Sequence, residues 1–427
     1  MKTTLPTIRL LLLLGLLAAV RPAAAQTWTL QTNAPSTGNT TWTSIASSAD
    51  GSKLIAAFLG FAHAYYTSTN SGAAWTSNSM PQMFPSWNRI ACSADGSILV
   101  ASSVSSVIWV STNSGTSWLS NNVTGVTEWS AVASSADGNK LLAADGSDFS
   151  YPGLIYISTN WGITWSPTSA PTNSWTSVAS SADGTKLVAT TWNSQARAGL
   201  IGGSGGYIYA STNAGLTWAP TGAPTNSGWT AIASSADGCK LVAANNPLLS
   251  NTAPYTIVSP GLIYTSTNSG ATWVSNNVPD NLWEGVASSA DGSRLIVTGQ
   301  GNPSGIYTST NSGATWTSNN IPAPPTYSIY SIASSADGSI LMAGGDGGGI
   351  YTLQTTVSPQ LNLAPSSTNL TLLAWTVPST NFVLQQSADL SAWLDVTNPP
   401  VLNLTNLQNQ VTLTLSNPAS FFRLKTP

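Results

Sequence analysis

The chain has 427 residues and only 6% of them are charged, 12 Lys and Arg against 15 Asp and Glu, with one histidine and two cysteines. So few basic residues cannot neutralise a nucleic-acid backbone or an anionic membrane surface, which excludes nucleic acid as a partner and leaves solubility to Ser, Thr and Asn. No Cys/His cluster has zinc spacing, so no metal and no cofactor are expected, and a Ser–His–Asp mechanism would hang on His63 alone.

The first 25 residues, MKTTLPTIRLLLLLGLLAAVRPAAA, combine a basic start (Lys2, Arg9), an apolar run from Leu10 to Val20 and a stretch of small residues. That layout predicts a secretory signal peptide cleaved after Ala25. The apolar run is too short for a membrane span, which needs about 20 residues. The expectation is a secreted or cell-surface protein, extracellular or periplasmic, and not an integral membrane protein. Cleavage would remove three of the 12 basic residues and leave nine against 15 acidic ones.

A repeat fills residues 26–354. Asp50, Asp95, Asp137, Asp183, Asp237, Asp291 and Asp337 each stand in Ser-Ala-Asp-Gly, at steps of 42 to 54 residues. Four residues before each Asp is an Ala, and eight before is a Trp in six of the seven units: Trp42, Trp87, Trp129, Trp175, Trp229 and Trp283, with Ile329 in the seventh. Each unit reads as four short strands. Strand A resembles WTSIASSA, an Asp-Gly turn leads to strand B (KLVAA), and a variable loop follows. Strand C resembles LIYTST, and strand D follows a second turn.

That second turn carries the strictest repetition. STNSGATW recurs letter for letter at 266–273 and 309–316, and related octets end at Trp75, Trp118, Trp165 and Trp218. Asn can close the turn through its side chain, Gly supplies positive φ, and the Trp can bury about 2–3 kcal/mol of apolar surface. The N-terminal QTWTLQTNAP matches the residues that follow this turn. It is therefore expected to supply strand D of the last unit, with Trp28 as the seventh hairpin Trp. That sharing removes the open edges. The fold class predicted is all-β: a seven-bladed β-propeller closed by the N-terminal strand. Cys92 and Cys239 then fall in distant blades and are read as free thiols.

The octet resembles the Asp-box (BNR) repeat of sialidases, sortilin-type receptors, some endoglucanases and photosystem assembly factors. Asn70, Asn113, Asn160, Asn213, Asn268 and Asn311 stand where that family usually has Asp. The resemblance implies the propeller fold but not an activity, because those families differ in function. Sialidase chemistry needs an arginine triad, and the propeller has only two arginines outside the scaffold position, Arg89 and Arg197.

Residues 355–427 leave the pattern. Alternating strands, with Trp375 and Trp393 as expected core residues, predict a small β-sandwich-like domain. It looks like a C-terminal module of secreted bacterial proteins.

Function is sought where one unit departs from the others. Arg89 stands in a column otherwise made of Ser44, Ala131, Ser177, Ala231, Gly285 and Ser331. Glu284 stands where other units have Thr, Ser, Asn or Tyr. Both should lie near the channel mouth on the face bearing the variable loops. Aromatics that occur once, Tyr151, Trp192 and Tyr255, join Arg89 and Glu284 as candidate ligand-binding residues. The recurring Trp residues are read as packing between blades rather than sugar platforms. If the protein is an enzyme, the loop-face carboxylates Glu128, Asp145, Asp148, Asp280 and Glu284 are the candidates for a glycosidase acid–base pair. The leading reading is a binding module for a glycan or an extracellular protein. A glycoside hydrolase and a structural envelope or matrix protein are the alternatives.

Overall fold

The computed structural model describes residues 27–34, 41–59, 64–79, 87–103, 106–126, 128–146, 152–192, 206–225, 228–249, 257–279, 281–300, 305–319, 321, 328–345, 349–355, 361–367, 370–376, 382–404, 407–414 and 420–425. The expected signal peptide lies outside them. Among the described residues there is no helix, and hence none long and apolar enough to cross a membrane.

The repeat units fold into seven four-stranded antiparallel sheets among the described residues. In the second unit, Trp87–Cys92, Leu99–Ser103, Val107–Ser111 and Leu119–Asn122 lie side by side in chain order. The last unit contributes Ile329–Ser334, Ile340–Gly345 and Ile350–Gln354, and its fourth strand is Thr29–Leu30 from the other end of the chain. Thr29 pairs with Thr352 and Leu30 with Tyr351. Trp28 is 1% exposed and packs with Ile329, Leu341 and Leu353.

Local chemistry sets both turns. In the first, Asp50 Oδ1 accepts from Ser48 Oγ (2.6 Å), Ser52 N (3.0 Å) and Ser52 Oγ (2.8 Å), and Gly51 takes φ +69°. In the octet turn, Asn268 Oδ1 accepts from Ser266 Oγ (3.0 Å) and Thr272 N (2.9 Å), and its Nδ2 donates to Thr272 Oγ1 (2.8 Å). Positive φ is not confined to glycine here: Ser269 is at +55° and Gly270 at +86°. The six tryptophans that end the octets are half-buried against the strand A Trp of their own unit, whereas Trp28 is fully buried against Ile329. Trp118 lies 4.5 Å from Trp87 and donates to Tyr65 of the preceding unit at 3.0 Å.

The core is divided among the junctions between neighbouring sheets. One junction sets Ala231, Val242, Ala244 and Ile263 against Trp283, Leu295 and Val297 of the next unit. The six strand A tryptophans are at most 1% exposed. They are packing residues, as their recurrence suggests, and Phe58 joins them, stacked edge-on at 5.6 Å from Trp42.

At the turn face, the alanine of each Ser-Ala-Asp-Gly donates its N–H to the next unit's alanine carbonyl. The series runs Ala49, Ala94, Ala136, Ala182, Ala236, Ala290, Ala336 and back to Ala49, at 2.6–2.8 Å. The circle of sheets is thus hydrogen-bonded shut. Below it, Ser and Ala side chains line a cavity of about 170 Å³, which Leu407 of the C-terminal region also lines. Leu407, at φ +53°, packs on Ala136, Ala182 and Ala236.

The C-terminal residues form a four-stranded and a three-stranded sheet around Leu373, Trp375, Leu384 and Val411. Trp375 is in that core, but Trp393 is not: it is half-buried, with the Arg423 guanidinium 4.2 Å over its ring.

Burial alone would raise the carboxyl of Asp50, but hydrogen bonds from Ser48 and Ser52 and the charge of Lys53 outweigh it and hold it below the usual range. The same balance depresses Asp95, Asp183, Asp237 and Asp291. A depressed native value contributes stability above the unfolded value of about 4, and this is lost as pH falls through the native values. Urea midpoints are therefore expected to hold steady from neutral pH towards 5 and drop below about 4, and Asp183→Asn should flatten that drop. Trp175→Ala, which empties a fully buried site and removes the bond from Trp175 Nε1 to Gly153 O, should cost about 3–5 kcal/mol by the same measurement.

Candidate functional site

Each strand A carries a β-bulge just after its Trp. The register slips between Trp42 and Ser44, Trp87 and Arg89, Trp129 and Ala131, Trp175 and Ser177, Trp229 and Ala231, Trp283 and Gly285, and Ile329 and Ser331. Two residues then face one on strand B, and the bulge re-aims side chains toward the axis.

In several units these two positions lace one sheet to the next. At the bulge, Thr43, Thr176 and Thr230 donate to the carbonyls of Trp87, Trp229 and Trp283 at 2.8–2.9 Å, and Asn88 donates to Trp129 O at 2.7 Å. One residue on, Ser44, Ser177 and Ser331 accept from Ile90 N, Ile232 N and Ile45 N at 2.7–3.3 Å. Glu284 occupies the first position and Arg89 the second. A carboxylate has no proton to donate, and a guanidinium has no lone pair to accept with. Glu284 thus cannot make the donor bond of Thr43, Asn88, Thr176 and Thr230, and Arg89, like Ala131, Ala231 and Gly285 in its column, cannot make the acceptor bond of Ser44, Ser177 and Ser331.

Both line a cavity of about 160 Å³ at the loop-face end of the channel, together with Thr43, Thr176, Thr230 and Tyr330. Arg89 is surrounded by protein yet open to the channel water, and its Nη1 donates to Asn88 O at 2.8 Å. Glu284 is half-buried and accepts from Gln300 Nε2 at 2.7 Å. Burial draws the Arg89 guanidinium below its ordinary value, opposed by the Glu284 charge. Burial pushes the Glu284 carboxyl up, opposed by Gln300 and Arg89. The two feel each other's charge across the cavity, and no ion pair joins them.

Of the other candidates, Glu128 is half-buried beside Trp129, whose register partner is Asp145; Asp145 itself is 7% exposed. Neither lines the cavity. Trp192 is half-buried rather than projecting, with its ring over Gly228, where a Cβ would come within 2.9 Å. Asp148, Tyr151, Tyr255 and Asp280 lie outside the described residues. Among the described residues, no group of acidic, His or Cys side chains could hold a metal. Column comparison finds Arg89 and Glu284 in the sequence. The bulge and the bonds that give their departure its meaning leave no sequence signal.

No protein-family model matches the chain, and no curated protein matches it in sequence. Solved structures match its shape. The structure described as YCF48 bound to D1 peptide is 15% identical with a TM-score of 0.55, covering 78% of this chain and 98% of that chain. YCF48 from Cyanidioschyzon merolae is 14% identical with a TM-score of 0.56, covering 77% and 99%. At this identity the likeness establishes a propeller-like all-β fold.

Restoring the column residues tests what the two charges do. Arg89→Ser regains an acceptor for the next sheet and Glu284→Thr regains a donor. Each is expected to leave stability unchanged or raise it by about 1 kcal/mol in urea unfolding. A clear loss of stability would make them scaffold after all.

Proposed function

We propose that the protein is a secreted or cell-surface binding protein that takes a protein ligand at the loop-face mouth of its channel. In this reading residues 26–354 form a seven-bladed propeller of Asp-box type, closed by the N-terminal strand, and residues 355–427 form a small β domain behind it. The carrying observation is that Arg89 and Glu284, the one charged residue in each of their columns, both face a single solvent-open cavity. Unlike charges on a rigid frame suit recognition, because a ligand meeting both gains from each and a mismatched one is repelled by one of them.

Two further facts favour protein over glycan. A structure of the same fold is described as bound to a peptide. The six strand A tryptophans, which as a ring might have stacked on sugars, are fully buried. The hydrolase alternative would need carboxylates flanking a bond, and of the described candidates only Glu284 lines the mouth.

The test is a paired array of surface proteins and glycans probed with the wild-type chain, Arg89→Ser and Glu284→Thr. Retained proteins should be bound at least about tenfold more weakly by each variant. Retention that ignores both substitutions, or retention of sugars alone, would sink the proposal.

A further inference from the structure

The charges at the mouth narrow what can enter it, given the binding reading above. We propose that the cavity receives a carboxamide side chain, glutamine or asparagine, presented by a peptide segment of the ligand. A cavity of about 160 Å³ admits a single side chain, not a folded element.

The groups able to recognise that side chain are few. The hydroxyls of Thr43, Thr176 and Thr230 have donated their protons to tryptophan carbonyls and those of Ser44, Ser177 and Ser331 accept from backbone N–H groups, so each has one function engaged and none brings a charge. Arg89 spends one N–H on Asn88 O and keeps others. Glu284 accepts from Gln300 through Oε1, and its second oxygen adds acceptor capacity. The mouth therefore offers donors from one side and acceptors from the other.

A carboxylate entering it would pair with Arg89 and be repelled by Glu284. An ammonium would pair with Glu284 and be repelled by Arg89. An apolar side chain would strip water from both charges and return nothing. A carboxamide carries an acceptor oxygen for Arg89 and an N–H donor for Glu284. Being neutral, it also loses little on leaving water. The protein already makes half of this contact within itself, since the amide that meets Glu284 at 2.7 Å belongs to Gln300.

Random peptides displayed on phage are selected in parallel on the full wild-type chain, on Arg89→Ser and on Glu284→Thr. The expected result is a wild-type consensus containing Gln or Asn that neither variant selects. Exchanging that residue for Glu or for Lys in a synthetic peptide should then weaken wild-type binding at least about tenfold. A mouth-dependent consensus built on Asp or Glu, insensitive to Glu284→Thr, would overturn the carboxamide assignment and leave the binding mouth standing. Peptides that ignore both substitutions, or the absence of any selected peptide, would overturn the mouth itself as a protein site.

Discussion

Each sheet of the repeat has two apolar faces, and among the described residues there is no helix layer to cover either. The sheets must therefore cover one another, and an open row would leave an exposed face at each end. Closure is the constraint on which the rest of this structure depends. It is met in three ways at once. Strand Thr29–Leu30 completes the sheet begun by the C-terminal unit, the strand A tryptophans fill the junctions, and the alanine N–H groups bond in a circle through Ala49 and Ala336. The alanine circle is complete only when all units are in place.

Closure also explains where specificity can be written. A residue at a junction answers to its neighbours on both sides and tolerates little change. The bulge after each Trp turns two side chains away from the junction toward the axis, where only a hydrogen bond to the next sheet is asked of them. Losing one such bond costs about 1 kcal/mol, which a circle with many others can absorb. Arg89 and Glu284 use that tolerance. They sit in different sheets, far apart in sequence, and closure brings both to one cavity.

The other end of the channel has the opposite character. Its lining is small and uncharged, its backbone groups are occupied by the alanine circle, and Leu407 from the C-terminal region covers it with an apolar side chain. The channel thus presents two unlike charges at the loop face and an apolar stop at the turn face. Cys92, whose thiol burial pushes up to about 12, lies in this quiet end and has the chemistry of a packing residue.

The sequence by itself determined what local chemistry decides: the four-strand unit, the Asp-Gly and Asn-closed turns, the sharing of the first strand with the last unit, and the oddity of Arg89 and Glu284 in their columns. Each depends on residues a few positions apart or on comparing copies of one repeat. Only the tertiary structure decided what depends on neighbours distant in the chain. The bulge is a register between two strands, and its lacing bonds cross from sheet to sheet. The position of Trp192 over Gly228 removes it from the mouth, though nothing in its sequence context says so. Trp393 reads as core by its strand pattern, but it is half-buried with Arg423 over its ring. The opposition of Arg89 and Glu284 across one cavity is likewise a property of the closed circle, since only closure fixes the distance between strands that never touch.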